Sequence, residues 1–240
     1  MERLEITSVI GRVAQTAGVL EPFICGAADG LVYYVKGRYA GAVERINELV
    51  AAELGRHIGL NIPRPVLLSV PREFIRHGAR PDLNDLGEGL AFASTEVPNA
   101  TVYLPGDPDV APSHEDRRRL LLFDWWICNY DRCKAKPNLI VADKVIYVID
   151  HNCAFSDKSD MEGFLEDHIY SDAFDLLGFN REINEPLLDS AMGEWGEIVR
   201  KIPDEWLEQC SDGQAHIDKI ERILLRYKRD PDSFWRGVIQ

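Results

Sequence analysis

The part of the chain that most constrains its fold lies between residues 124 and 155. Two apolar runs there, at 139–141 and 145–149, are rich in strand-forming residues, and Asp143-Lys144 between them is a turn signal. The pattern predicts a β-hairpin, because a turn between two apolar strands folds the chain back on itself. The hairpin would bring together three short polar side chains from its two ends: Asp131, Asn138 and Asp150.

The sequence around this hairpin resembles the catalytic-loop and metal-binding segment of protein-kinase-like enzymes. The run D-R-x-x-x-x-P-N-L-I from Asp131 and the run I-D-H-x-x-A-F around Asp150 are similar to the HipA-like kinase family. The resemblance implies that Asp131 accepts or orients the proton of the attacking hydroxyl, while Asn138 and Asp150 hold a metal ion. It therefore implies ATP and Mg2+ as cofactors, since carboxylate and amide oxygens are hard donors that suit Mg2+.

One position departs from the kinase pattern. In kinases the metal-binding asparagine usually lies five residues beyond the catalytic aspartate, and that position is Lys136 here. Two interpretations stay open. Either the turn at Pro137-Asn138 lets the later asparagine reach the metal, or Lys136 supplies charge where a ligand is missing and nucleotide binds poorly.

By the same resemblance, a lysine on an N-terminal strand and a glutamate on the next helix should form a pair. Residues 31–36 have strand composition and end at Lys36, and apolar residues recur at helical spacing over 42–58. The family pattern of a glutamate after an asparagine points to Glu48 as the partner of Lys36. Glu44 and Glu53 lie on the same predicted helix and compete for this assignment.

Two further segments are candidate nucleotide contacts. Asp29-Gly30 is a tight hairpin signal, and glycines permit close approach of the backbone to a phosphate. The apolar run that ends before Pro98 leads into a linker where kinase-like folds receive adenine, although a plain connection is an equal alternative. The candidate nucleotide-binding residues are Gly26, Ala27, Ala28, Asp29, Gly30, Lys36, Thr95, Glu96, Val97 and Lys136.

The fold class predicted from these elements is α+β, with the two lobes of a protein-kinase-like fold. Residues 1–97 would form an N-terminal lobe, an antiparallel sheet with one long helix, in which 72–89 is a surface excursion. Residues 98–240 would form a mostly helical C-terminal lobe that carries the hairpin. Strands are expected near 5–10, 21–25, 31–36, 65–70 and 90–96, and C-terminal helices over 113–129, 160–177, 185–201 and 215–229.

The helix predicted over 113–129 carries a carboxylate in an unusual setting. Asp124 lies within a run of large apolar residues, which marks the helix as buried. A buried carboxylate needs a partner, and Arg132 is a candidate. The alternative is that Asp124 faces the surface.

Composition limits the partners. Twenty-seven basic and 40 acidic residues give a formal net charge of -13, which argues against nucleic acid and anionic membrane surfaces. No segment resembles a signal peptide or a membrane span. Five scattered cysteines favour a reducing, cytoplasmic environment over a disulfide framework. The residues Cys128, Cys133, His151 and Cys153 could supply four ligands to zinc, but Cys128 lies in an apolar helical run, where cysteine is usually a buried side chain, so the sequence disfavours a zinc site.

The resemblance implies a phosphotransferase that moves the γ-phosphate of ATP to a serine or threonine hydroxyl of a protein. The alternative is a pseudokinase that binds nucleotide or a partner protein without turnover, and Lys136 is its best argument. A third hypothesis is a small-molecule or lipid acceptor. Because HipA-like kinases are often paired with an antitoxin-like protein, a regulatory partner of that type is also a hypothesis.

Overall fold

The computed structural model describes residues 1–13, 21–78, 80–107, 109–158, 160–174 and 179–236. Strands dominate the N-terminal part and helices the C-terminal part, so the protein is α+β. The strands are β1 (Arg3–Arg12), β2 (Phe23–Ala27), β3 (Val32–Lys36), β4 (Pro65–Val70), β5 (Gly89–Thr95), β6 (Thr101–Val102), β7 (Leu139–Ala142) and β8 (Val145–Val148). The helices are α1 (Ala42–His57), α2 (Arg72–His77), α3 (Leu83–Leu86), α4 (His114–Trp126), α5 (Met161–Asp167), α6 (Arg181–Gly193), α7 (Trp195–Lys201), α8 (Asp204–Gln209), α9 (Gly213–Leu224), α10 (Arg226–Arg229) and α11 (Pro231–Arg236).

The first five strands, each overlapping a predicted one, close into a barrel in the order β1, β2, β3, β5, β4. Buried and half-buried residues alternate along β3, and Tyr33 and Val35 belong to the barrel core. The prediction of an antiparallel sheet was wrong for one pair: β1 and β4 run parallel, with Arg3 opposite Leu67. This pairing joins the two edges of the sheet, which would otherwise be exposed to pairing with another chain.

The segment between β4 and β5 is not the simple surface excursion that its polar composition predicted. It forms α2 and α3, and Leu83 and Leu86 of α3 are buried in the barrel core. Ala79, within the same segment, lies outside the described residues. Two apolar residues three positions apart are enough to attach this short helix to the barrel.

The helix α1 belongs to a second hydrophobic core. Its buried apolar residues, among them Ile46, Leu49 and Leu54, pack in one cluster with those of α4 and the C-terminal helices. The barrel encloses a separate cluster drawn from residues 6–93. Leu67 of β4 and Phe92 of β5 also belong to the larger cluster, so the barrel wall packs in the same core as α1.

The predicted hairpin is present as β7 and β8, with Leu139 opposite Val148. Its turn residues Asp143 and Lys144 both have positive φ, 50° and 65°, as a two-residue turn of type I′ requires. The short strand β6, which sequence reasoning missed, adds to β7 and completes a three-stranded sheet.

The C-terminal helices are more interrupted than the apolar periodicity predicted. The helix expected over 160–177 ends at Asp167 and is followed by a turn of 3-10 helix; residues 175–177 of that expectation lie outside the described residues. The helices expected over 185–201 and 215–229 are each broken once, at Glu194 and Leu225. None of the described helices has the length and apolar character needed to span a membrane.

Candidate active site

The site begins with the contact between the barrel and α1. Lys36 is the last residue of β3, and its ammonium donates a hydrogen bond to the carboxylate of Glu48. Of the three candidate glutamates of α1, Glu48 is the one that contacts Lys36. Glu53 pairs instead with Lys201 at 2.8 Å, and Glu44 lies in the first turn of the helix.

The same ammonium also reaches the exit of the hairpin. Lys36 Nζ lies 2.5 Å from Asp150 Oδ1, although 114 positions separate the two residues. Asp150 follows β8 with a φ of 62°, a conformation that aspartate tolerates better than most residues. Lys36 thus joins a carboxylate of α1 to a carboxylate of the hairpin.

Mutual contact fixes the charge states of Lys36 and Glu48. Burial lowers the pKa of Lys36, but the charges of Glu48 and Asp150 outweigh burial and raise it above its usual range. Burial likewise raises the pKa of Glu48, but the neighbouring Lys36 ammonium and His151 together outweigh burial and hold this pKa well below its usual range. Lys36 is therefore a cation and Glu48 an anion at neutral pH.

A second lysine lies between the two candidate catalytic acids. Lys136 Nζ is 2.6 Å from Asp131 Oδ2 and 3.6 Å from Asp150 Oδ2. Asn138 Nδ2 also donates to Asp131 Oδ2, at 3.3 Å. Burial lowers the pKa of Lys136, but its hydrogen bond to Asp131 and the charge of Asp150 raise it overall. The structure therefore brings together five of the seven charged residues predicted for the site, with Asn138 beside them; Asp29 and Glu96 are not part of this cluster.

The donors around Lys136 fit a hard divalent cation. Asp131, Asn138 and Asp150 offer carboxylate and amide oxygens, the ligand type that Mg2+ prefers. The Lys136 ammonium itself acts as a stand-in cation between the two carboxylates. In the described part of the chain, no group of three or more histidine, cysteine, aspartate and glutamate side chains is arranged to hold a metal.

A buried ionic cluster supports the loop that carries Asp131. Asp124 is fully buried, and its Oδ2 accepts from Arg132 Nε at 2.6 Å and lies 3.0 Å from His168 Nε2. The partner predicted for Asp124 is thus confirmed, whereas His168 was missed. Burial raises the pKa of Asp124, but Arg132 and His168 outweigh it and lower the pKa to about 2. Arg132 also donates to the carbonyl of Asn138 at 2.7 Å, which fixes the loop beneath the site.

Asn47 of α1 holds the segment that follows Asp150. Its Nδ2 donates to the carbonyl oxygens of Asn152 and Ala154, each at 3.0 Å, and its Oδ1 lies 2.9 Å from His216 Nε2. The Asn-Glu pair of the family pattern therefore has two tasks here. The asparagine fixes the chain beyond Asp150, and the glutamate fixes Lys36.

The predicted glycine loop is a tight hairpin whose amides are engaged within the protein. Gly26 and Ala27 end β2, and Ala28, Asp29 and Gly30 form the turn, with a φ of 82° at Gly30. The Asp29 carboxylate accepts hydrogen bonds from the Leu31 amide and from the Tyr33 hydroxyl, the latter at 2.6 Å. Three backbone amides donate hydrogen bonds within the protein: Ala27 to Leu31 O (3.1 Å), Ala28 to Glu5 O (2.9 Å) and Gly30 to Ala27 O (2.9 Å). Phosphate contact through these amides would require the turn to rearrange.

Two backbone amides of the predicted adenine-binding segment, residues 95–97, donate hydrogen bonds within the protein. The Thr95 amide donates to Arg64 O at 3.0 Å, and the Glu96 amide donates to Val32 O at 2.9 Å. No hydrogen bond within the described ranges uses the Val97 amide. Val97 is therefore the residue of this segment whose amide makes no hydrogen bond to another described residue.

Comparison with known proteins defines the class. The family model described as HipA-like kinase matches residues 6–238, so the chain belongs to the HipA-like kinase family and has a kinase-type function. Among solved structures, the crystal structure of a Helicobacter pylori proinflammatory kinase, CtkA, is similar over 94% of this chain and 92% of that chain, with 12% identity and a TM-score of 0.48. No curated protein matches the chain.

Proposed function

We propose that this protein transfers the γ-phosphate of ATP, with Mg2+, to a serine or threonine hydroxyl of a protein. The observation that carries the proposal is the position of Lys36, whose ammonium contacts Glu48 of α1 and Asp150 of the hairpin. A phosphate-binding lysine held by a glutamate and facing a metal-binding aspartate is the arrangement that kinases use.

Each residue of the site then has a role. Lys36, held by Glu48, would bind the α- and β-phosphates, while Asp150 and Asn138 would hold Mg2+. A Mg2+ ion held by these two side chains would supply positive charge that offsets the charge developing on the transferred phosphate. Asp131 would align the acceptor hydroxyl, and its contacts with Lys136 and Asn138 favour one orientation of its carboxylate. Catalysis of this kind depends mainly on positioning and charge neutralisation.

Nucleotide would bind between two lobes, residues 1–97 with the barrel and residues 98–240 with the hairpin and helices. The amide of Val97, between Thr95-Glu96 and Pro98, supports a place for adenine at the junction, because it makes no hydrogen bond to another described residue. The turn from Gly26 to Gly30 would cover the phosphates after its internal amide bonds rearrange. The cysteines of the described residues are all free thiols, which supports a cytoplasmic location.

A second candidate function is nucleotide or partner binding without turnover. The contact between Lys136 Nζ and Asp131 Oδ2, 2.6 Å long, favours it, because the ammonium occupies a carboxylate oxygen that would otherwise orient the acceptor hydroxyl. A thermal-shift assay with Mg2+ and ATP, paired with a radiolabel transfer assay, separates the two functions. Binding without transfer to any protein substrate would favour the second candidate.

Two substitutions test the assignment of roles. We expect Asp131→Asn and Asp150→Ala both to reduce γ-phosphate transfer at least about 100-fold, since each removes a group that acts in the transition state. Only Asp150→Ala should greatly weaken binding of Mg2+ and nucleotide. Asp143→Asn, an exposed change in the hairpin turn, is the matched control and should retain both properties. Retained transfer by purified Asp131→Asn protein would contradict the assignment.

A further inference from the structure

Lys136 lies where the kinase pattern expects a metal-binding asparagine, and its position has a consequence for how many metal ions the site can take. We propose that the Lys136 ammonium occupies the place of a second divalent cation, so that the site binds a single divalent ion with its nucleotide. This inference rests on the proposed function, because it concerns the ion that accompanies ATP.

The ammonium is placed between the two acids by several contacts. Lys136 Nζ lies 2.6 Å from Asp131 Oδ2 and 3.6 Å from Asp150 Oδ2. The three side chains are 26–28% exposed, so solvent competes with these contacts only in part. An ammonium between two carboxylates is attracted to both negative charges, as a cation in the same place would be.

The backbone conformation of the loop places the Lys136 side chain in this position. Cys133 and Lys136 exchange two backbone hydrogen bonds, each 3.1 Å long, which closes the loop just before Pro137. Beyond the proline, Asn138 has a φ of 48°, and its carbonyl is held by buried Arg132. These constraints fix both ends of the segment. Lys134, two residues earlier in the same loop, is exposed, so the inward position of Lys136 is specific.

The oxygen that a second ion would need is already occupied. Asp131 Oδ2 accepts from Lys136 Nζ and from Asn138 Nδ2, so two protein donors converge on it. A divalent ion binds a carboxylate oxygen at about 2.0–2.1 Å for Mg2+, and it would meet the ammonium held by the same oxygen. Asp150, whose Oδ2 is 3.6 Å from Lys136, and Asn138, through its amide oxygen, remain as ligands for one ion.

Counting bound ions tests the inference. Mn2+ binding to the full chain would be measured by electron paramagnetic resonance of unbound Mn2+ at saturating non-hydrolysable ATP analogue, with nucleotide binding measured in parallel by calorimetry. We expect one Mn2+ per chain for the wild-type protein, two for Lys136→Asn, and one for the control Lys134→Asn. Unfolding temperatures of all three proteins would establish that they are folded.

The outcomes separate the two proposals. Two ions on the wild-type protein, or none beside bound nucleotide, would overturn the single-ion inference and leave the proposed kinase function standing. One ion on folded Lys136→Asn would also overturn it, because removal of the ammonium should open the second position. Failure of the wild-type protein to bind nucleotide at all would overturn the proposed function together with the inference. The wild-type count decides the matter even if Lys136→Asn does not fold.

Discussion

The charges of Lys36 and Glu48 stabilise the folded protein over different pH ranges. The folded pKa of Glu48 is lowered, so its stabilising contribution is complete above the unfolded value of about 4.3 and is lost as pH falls. The folded pKa of Lys36 is raised, so its contribution is complete below about 10.4 and is lost only as pH rises through the higher folded value. Both contributions are therefore present at neutral pH.

We predict that Glu48→Gln lowers the free energy of unfolding by roughly 1.5–3 kcal/mol at pH 7, because the mostly buried Lys36 then keeps only Asp150 as a carboxylate partner. The difference in free energy of unfolding between the variant and the wild-type protein should shrink as the pH falls below about 4.3, because the stabilising contribution of ionised Glu48 is then progressively lost. Urea denaturation at pH 7 and pH 4 measures both effects. Glu44→Gln, on the same helix, should cost less than about 1 kcal/mol. An equal loss in the two variants would refute the special role of Glu48.

The buried ionic cluster of Asp124, Arg132 and His168 is the basis of a second prediction for single residues. Asp124 has a pKa of about 2, which corresponds to roughly 2–3 kcal/mol of stability at pH 7, lost as pH falls from about 4 to 2. Asp124→Asn should cost about 3–5 kcal/mol at pH 7, because Arg132 is left as an uncompensated buried charge. The comparison is Glu197→Gln, which breaks an exposed pair with Arg200 and should change stability by less than about 1 kcal/mol. Chemical denaturation of the two variants decides between these expectations.

At the scale of elements, the hairpin offers a test of its turn. Lys144 has a φ of 65°, a conformation that costs an ordinary residue about 1–2 kcal/mol and glycine almost nothing. Lys144→Gly should therefore raise the free energy of unfolding by roughly 0.5–1 kcal/mol, after the extra entropy of glycine in the unfolded chain is subtracted. Lys144→Ala removes the same charge without relieving the backbone and should give no gain. Equal stabilisation by both would show that charge, and not backbone conformation, is responsible.

Local signals explain which elements the sequence predicted. The hairpin was predictable because strand-forming runs flank a turn within a dozen residues. β6 was not predictable, since its two residues become a strand only by pairing with β7. The parallel pairing of β1 with β4 joins segments about 60 positions apart, which no local pattern specifies.

The same distinction holds for the site. Asp131, Asn138, Asp150, Lys36 and Glu48 were predicted as site residues because of a resemblance to a family in residue type and order. His168 lies 44 positions from Asp124, and Asn47 lies 105 positions from the Asn152 carbonyl that it binds. Such contacts depend on packing of the complete chain. The position of Lys136 between two acids likewise required coordinates, although its unusual place in the motif was visible in the sequence.

For the whole molecule, the central question is how firmly the barrel is joined to the helical part. α1 packs its apolar face into the larger core, and the junction carries polar contacts as well. The carbonyl of Leu90 in β5 accepts from Trp206 Nε1 and from Arg45 Nη1, each at 2.8 Å. Lys201 pairs with Glu53 across the same junction at 2.8 Å.

We predict that the protein unfolds in a single cooperative transition, because Leu67 and Phe92 of the barrel strands are buried in the same core as α1 and the C-terminal helices. All five tryptophans lie beyond residue 97, so tryptophan fluorescence reports on the helical part. Far-UV circular dichroism reports on the whole chain. Coincident urea midpoints by the two probes are expected. Two separated midpoints would show that residues 1–97 and 98–240 unfold independently.

The central claim is that Lys36, Glu48 and Asp150 form one nucleotide-binding site, and a crystal structure with a non-hydrolysable ATP analogue and Mg2+ tests it most directly. We predict that the α- and β-phosphates contact the Lys36 ammonium, that Glu48 keeps its contact with Lys36, and that Mg2+ is bound by Asp150. Nucleotide bound at another surface, with Lys36 and Asp150 still paired and away from the phosphates, would contradict the claim.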